Sequence, residues 1–436
     1  MSSSLTSLTS GISPASIHPQ RRRGRTPRLH AEHILPARDI NGMPEGPTGG
    51  MSHTGKARTR TPSIRRPPAG EVGHLELDLG LCLSGGGFRA MLFHAGSLWR
   101  LNEAGYLSRL DRVSSVSGGS ITAAMLALRW EELEFAADGR TEGFVELVLE
   151  PLRRFASRTV DVPAVVVGLL LPGVTINGRL TRSYRRLFAR STLSDLPARP
   201  DFVFDATNLQ SGDLWRFSRR QEGDWRVGSR ATPDTEIARV VAASSAFPPL
   251  LAPSRLEFND DVLQAGGDPE VSSPPYTTRV VLADGGVYDN LGLEAVWTTC
   301  RQVLISDAGG QMSAERRPRS FWPLQVLRVL HVIDNQVREL RKRQAVQSYI
   351  EGQRTGAYWG IRSDVSDFGL PDPIASPTQA QVRGLAGVPT RLAGLGTGLQ
   401  EQLINWGYVM CDTALRAHVA PDQPPGRLPY PGAGLG

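Results

Sequence analysis

"LDLGLCLSGGGFRAMLFHAGSLWRLNEAG", Leu77 to Gly105, carries the reading of the fold. It opens with an apolar run of strand length. Three contiguous glycines, Gly85, Gly86 and Gly87, make a turn, and Met91, Ala95, Leu98 and Leu101 then recur at spacings of three and four, one apolar face of a helix. The same order returns in "VSSVSGGSITAAML" (Val113 to Leu126) and in "RVVLADGGVYDNLGLEAVW" (Arg279 to Trp297). "DFVFDATNL" (Asp201 to Leu209) and "RQVLISDAGG" (Arg301 to Gly310) add strands ending at turns. Short apolar strands alternating with helices predict an α/β three-layer sandwich, with a mostly parallel central sheet and helices on both faces.

Further helices are expected around Trp130 to Phe144, at Asp234 to Ser254 until Pro248 and Pro249 stop it, and around Leu399 to Leu415. "PLQVLRVLHVIDNQVRELRKRQAV" (Pro323 to Val346) reads as a charged amphipathic helix. Leu327, Leu330, Val337 and Leu340 line one side of it, and the basic run Arg341 to Arg343 lies opposite. The domain is expected to run over 71–420, with a cap or insertion near 145–200 and a flexible tail at 421–436. Within the insertion, "VPAVVVGLLLPGVTI" (Val162 to Ile176) is too short for an ordinary membrane span and reads as a core helix or a lid.

The chain has 436 residues, 40% hydrophobic and 21% charged, the balance of a globular enzyme with a real core. Its net charge of +6 is unevenly placed. Residues 1–70 hold 11 Lys and Arg against 3 Asp and Glu, whereas the rest holds 38 against 40. The basic leader, rich in Ser, Pro and Gly, is expected to be disordered. It is either a solvated tail or coding sequence upstream of a start at Met43 or Met51, with an organellar transit peptide as a further option. It has no apolar core of the kind a secretory signal needs. Cys82, Cys300 and Cys411 are too far apart for a metal pair or a disulfide framework, which fits a reducing compartment.

Glycine turns at strand ends are where open α/β sheets hold their chemistry. "SGGGFRA" is followed by no Gly-Lys-Ser/Thr, and its glycines are contiguous, so neither nucleotide-loop pattern fits. Consecutive glycines before a helix do leave backbone N–H groups aimed at one anion, as an oxyanion hole requires. "SVSGG" (Ser115 to Gly119) resembles the nucleophile elbow G-x-S-x-G, with Ser115 in the first glycine position. That makes Ser117 a candidate nucleophile in need of a base. None of the eight histidines follows a strand end at a glycine turn, and His94, His331 and His418 read as surface or packing residues. Asp284 and Asp307 do end strands, beside Gly285 and Gly286 and beside Gly309 and Gly310.

"LSGGGFRAMLFHAG", "SVSGGS" and "LADGGVYDN", in that order, resemble the patatin-like acyl hydrolases. "ASSAFPPL" (Ala243 to Leu250) is similar to a block that family carries before its D-G-G. The resemblance implies a Ser117–Asp284 dyad without histidine and an oxyanion hole from Gly85, Gly86, Gly87 and Gly118. It also implies Arg89 as the residue that meets a substrate phosphate, Asp307 remaining the second choice of base. Ser115, and Ala90 where plant members have glycine, depart from the pattern. The implied function is hydrolysis of a carboxylic ester of a phospholipid or lysophospholipid through an acyl-enzyme, without metal or cofactor. The alternatives are the same chemistry on a glyceride, thioester or small ester, a catalytically silent binding protein, and a nucleotide-binding enzyme. The implied partner is a lipid or acyl ester, not nucleic acid, in the cytoplasm with peripheral membrane contact.

Overall fold

A computed structural model describes residues 75–160, 176–249, 251–259, 262–310, 312, 314–318 and 321–435. The leader and residues 162–175 of the apolar stretch lie outside the described residues. In chain order the strands are β1 (Leu77–Leu83), β2 (Arg112–Val116), β3 (Asp201–Asn208), β4 (Leu214–Phe217), β5 (Gln221–Asp224), β6 (Gly228–Ala231), β7 (Ser254–Glu257), β8 (Gln264–Ala265), β9 (Arg279–Asp284), β10 (Cys300–Asp307) and β11 (Thr355–Gly360). The helices include α1 (Gly87–Glu103), α2 (Gly118–Arg129), α3 (Glu150–Ala156), α4 (Ile176–Phe188), α5 (Ile237–Ser244), α6 (Trp322–Ile350) and α7 (Thr397–His418).

One sheet runs in the order β11-β10-β1-β2-β3-β4-β5-β6-β8. Its first five strands are parallel, the expected core of the domain. Beyond β3 the sheet continues antiparallel. Strand alternation feeds two apolar layers. Leu79, Leu81 and Leu83 join the large cluster with Met91, Leu98, Ile121 and Val409, while Cys82 joins Leu291, Val296, Val303, Ile305 and Ala345 on the other face. The three cysteines are free and buried.

β9 is the strand that matters for the site. It pairs antiparallel with β3, with Asp284 opposite Ala206. β2 pairs parallel with the preceding part of β3, with Val116 opposite Asp205. The C-terminal ends of β2 and β9 therefore meet head to head along β3. The residue after Val116 and the last residue of β9 are brought together from sequence positions far apart.

Three local expectations change. The helix expected over 130–144 is a single 3-10 turn, Trp130–Leu133, because Glu134 turns left-handed at φ 42° and Gly139 turns again at φ 78°. The tail is not loose over 421–435. Asn405 Nδ2 donates to the carbonyls of Tyr430 and Gly434, and Leu435 is buried. The amphipathic helix is longer than expected and two of its leucines, Leu330 and Leu340, face solvent instead of the core. In the insertion, α4 leans on α5, with Asn177 Nδ2 donating to Ala242 O at 3.0 Å.

Candidate active site

Ser117 stands at the seam of β2 and α2 with φ 51° and ψ −116°, the strained backbone of a nucleophile elbow. The strain is held by packing. A Cβ on Gly118 would come within 2.2 Å of Gly87 O, and one on Gly119 within 2.4 Å of Leu83 O, so only glycine fits after the serine. Before it, Ser115 is tolerated because its hydroxyl turns inward, donating to Val203 O at 3.3 Å and accepting from Ser120 Oγ at 3.1 Å. Ser117 is partly accessible, while Ser115, Val116 and Gly118 are buried.

Asp284 reaches the elbow through the β9 register and is 2% exposed. Its Oδ1 accepts from Gly286 N–H at 2.8 Å, and its Oδ2 is buried without a hydrogen-bond partner. Burial pushes the Asp284 pKa up to about 7. The Gly286 N–H and the nearby Ser117 hydroxyl pull it back in part, and Asp334 on α6 adds a smaller upward push. A carboxylate tuned to neutrality beside a hydroxyl has the strength of a general base.

The "ASSAFPPL" block acquires a physical role here. Ser244 Oγ accepts from the Ser117 N–H at 3.0 Å, Ser244 O accepts from Gly285 N–H at 3.3 Å, and Ala246 O accepts from Asp284 N–H at 2.9 Å. The end of α5 thus bolts the elbow to the aspartate turn. The sequence marked this block only by resemblance and gave Ser244 no role, since its partners lie far away along the chain.

The glycine loop divides. Gly85 is turned away from the expected role, because its N–H donates to Asn290 O at 3.1 Å. Gly86, Gly87 and Gly118 have no partner for their N–H groups among the described residues; Gly87 and Gly118 begin α1 and α2, where no intrahelical acceptor exists. Gly86 and Gly87 adopt φ 147° and 61°, open to glycine alone.

His94 lies beneath this loop with both ring nitrogens engaged, to Ser306 Oγ at 2.8 Å and Ser84 O at 2.9 Å. Burial lowers its pKa to about 4, so the ring is neutral near pH 7. The carbonyl can only accept, so Nε2 carries the proton and Nδ1 accepts from Ser306. It is a packing residue, as read from the sequence. Asp307 is held as a carboxylate. Arg338, the Gly309 N–H at 2.8 Å and the Tyr358 hydroxyl at 2.7 Å keep its pKa low in spite of burial, which suits a structural anion and not a base.

Arg89 is the clearest correction. It is 2% exposed, and its guanidinium donates to Ala308 O at 2.9 and 3.1 Å, to Thr390 Oγ1 at 2.9 Å and to Val388 O. Four of its five N–H bonds are engaged inside the protein, tying the start of α1 to the loop after β10 and to residues 388–390. A helix-face pattern cannot report this, because all three acceptors come from elsewhere in the chain. We therefore expect Arg89→Ala to lower turnover of a phospholipid and of a short neutral ester by the same factor, through loosening of the glycine loop. Parallel kcat/KM measurements on the two substrates check this; a selective loss on the phospholipid would restore a phosphate-contacting role.

A strained serine and a buried carboxylate on a three-layer α/β frame, beside N–H groups of Gly86, Gly87 and Gly118 that have no partner among the described residues, make an arrangement able to support nucleophilic chemistry at a strand-end crevice. Residues 81–297, which contain all these groups, match the family model of the patatin-like phospholipases, so the chain carries a patatin-like phospholipase domain. No curated protein matches the sequence. Among solved structures, human GIVD cytosolic phospholipase A2 is similar at 13% identity with a TM-score of 0.47, over 77% of this chain and 58% of that one. VipD from Legionella pneumophila is similar at 15% identity and a TM-score of 0.32, over 83% and 72%. The chain thus spans less than two thirds of the human enzyme's length.

Proposed function

We propose that this protein is a serine-dependent lipid acyl hydrolase that cleaves carboxylic esters of phospholipids or lysophospholipids through a Ser117–Asp284 dyad. The observation that carries the reading is the pairing of a strained, accessible serine with a buried carboxylate of pKa about 7. Asp284 takes the Ser117 proton as Oγ attacks the ester carbonyl. The tetrahedral oxyanion lies against the N–H groups of Gly86, Gly87 and Gly118. Collapse expels the alcohol, which takes its proton back from Asp284, and leaves an acyl-serine. Water, deprotonated by Asp284, then attacks the acyl carbonyl. The second tetrahedral intermediate collapses to the fatty acid, expelling Ser117 Oγ, which takes the proton from Asp284 and restores the starting enzyme. Removing a single oxyanion donor in such a site costs about 10²- to 10³-fold in kcat.

A lipid acyl chain is favoured over a small soluble acid by the rim. Phe247 follows Ala246, the acceptor of the Asp284 N–H, and Val287 follows Gly286; both are large apolar side chains left exposed at the aspartate turn. Hydrolysis of a panel of phospholipids, lysophospholipids, glycerides and acyl thioesters, with products read by mass spectrometry, tests the substrate class. Turnover confined to short soluble esters or thioesters would reject the lipid reading while leaving the dyad standing.

The pH dependence follows from the same carboxylate. The base must be ionised, so kcat/KM on a soluble ester should rise with pH through about 7 and level off above it. Asp205 is a built-in control. It is buried on β3, accepts from Ser114 Oγ at 2.8 Å, and burial raises its pKa to about 7 as well. The acidic limb should survive Asp205→Asn; its loss there would assign the titration to the wrong carboxylate.

A further inference from the structure

α6 is divided along its length. Its C-terminal half is packed, with Arg338, Ala345 and Ser348 buried and the Tyr349 hydroxyl donating to Val303 O at 2.8 Å. In the first half, none of the described side chains from Phe321 to Ile333 is buried. These residues are largely apolar. Trp322, Val326, Val329 and Ile333 recur at helical spacing on one face, 70%, 48%, 51% and 54% exposed, with Leu330 beside them and Leu340 continuing the line. A monomer in water leaves such a contiguous apolar face only where something else covers it.

The flanks say what kind of partner fits. Arg316 and Arg317 are exposed just before the helix, and Arg343 is exposed beyond its apolar part. Among the described residues from 315 to 343 the acids are Glu315, exposed and paired with Arg328 at 3.8 Å, and the half-buried Asp334 and Glu339. A second copy laid on the same face would bring Arg316, Arg317 and Arg343 of both copies together, with Glu315 already paired to Arg328. An anionic lipid leaflet answers both features at once, apolar side chains entering the acyl boundary and guanidinium groups meeting phosphate. No helix among the described residues is long and apolar enough to cross a membrane, so the contact is one of lying on the surface.

We infer that the exposed face of α6, from Trp322 to Leu340, docks the protein on an anionic phospholipid surface at the mouth of the catalytic crevice. The placement is geometric. Arg338 of α6 donates to Gly310 O in the loop after β10, the loop that Arg89 ties to the start of α1, and Arg341 lies over the Tyr288 ring, 3.6 Å from Asp289, in the turn that follows Asp284. A lipid leaving the leaflet beside α6 would meet the glycine loop without crossing open water. The choice of lipid as partner rests on the acyl-hydrolase reading, so docking is read without turnover.

The three native cysteines are buried, so Ile333→Cys in a Ser117→Ala background gives one site for an environment-sensitive fluorophore. The full chain is titrated with vesicles of pure phosphatidylcholine and of phosphatidylcholine carrying about 30 mol% phosphatidylserine. The expected result is a solvent-exposed label in buffer that shifts to the blue on the anionic vesicles. Trp322→Gln combined with Val329→Gln should weaken that partition by about 10-fold or more, with the folded circular-dichroism spectrum retained. Sedimentation of the protein with vesicles while the label stays wet would place the contact elsewhere, as adsorption through the basic leader would. A label already blue in buffer and dependent on protein concentration would mean a second copy. A blue label independent of concentration would mean cover by the chain itself. Each of these three results overturns the proposal, and none bears on whether Ser117 is a nucleophile.

Discussion

Ser117→Ala is expected to abolish labelling by a fluorophosphonate probe and to lower kcat/KM on an acyl ester by about 10⁴-fold or more. The dyad has no second hydroxyl to take over. Ser115 and Ser120 lie close in sequence, but both are buried and bonded to each other behind the elbow, away from the accessible position. Because Oγ is lost while the backbone at φ 51° is still held by the Ser244 contact to its N–H, the melting temperature should stay near that of the parent chain. Labelling that survives the substitution would remove Ser117 from the mechanism, whatever the residual rate.

Asp284→Asn carries the second large effect, and it separates catalysis from stability. The amide cannot accept the serine proton, so kcat should fall by about 10³- to 10⁴-fold. The acidic limb near pH 7 should vanish from what activity remains. Stability should move the other way. The folded pKa of about 7 lies above the unfolded value of about 3.9, so the native state holds this proton more tightly. The group therefore stabilises the fold fully below about pH 4, loses that contribution as pH rises through about 7, and contributes nothing above it. Asparagine keeps the Gly286 N–H bond to its carbonyl oxygen and has no charge to bury. Relative to the parent, Asp284→Asn should gain in denaturant midpoint as pH is raised from about 4 to 7. A variant that lost stability across that range would mean the carboxylate is compensated by a partner not identified around it.

The mechanism places unusual weight on three buried hydroxyls. Ser115, Ser120 and Ser244 form a chain, with Ser120 Oγ 2.8 Å from Ser244 Oγ, that ends on the nucleophile's own N–H. This explains how an elbow can accept serine where glycine is usual. A methyl-sized side chain at 115 fits because its polar end is taken up by neighbours in the same buried layer, at no cost in unsatisfied groups.

What the sequence by itself determined are the short-range facts. Glycines packed against a strand end, a serine in a turn between small residues, and an aspartate closing an apolar run are each enforced within a few residues of chain, where steric exclusion leaves few other choices. Those facts marked Ser117, the loop of Gly86 and Gly87 and the parallel core from β1 outwards as candidates, and left Asp284 and Asp307 as two strand-end carboxylates between which only the family resemblance chose. The tertiary structure alone decided the rest, because each remaining property depends on groups supplied by distant segments. Asp284 faces Ser117 because β9 runs antiparallel to β3 and meets the end of β2, a register that no local pattern encodes. Gly85 turns to Asn290, Arg89 is drawn into carbonyls of the 308 and 388 loops, and Ser244 reaches the elbow, all through hydrogen bonds that close long loops. Burial, which moves Asp284 to about 7, is likewise a property of everything packed around a residue and of nothing in the residue itself.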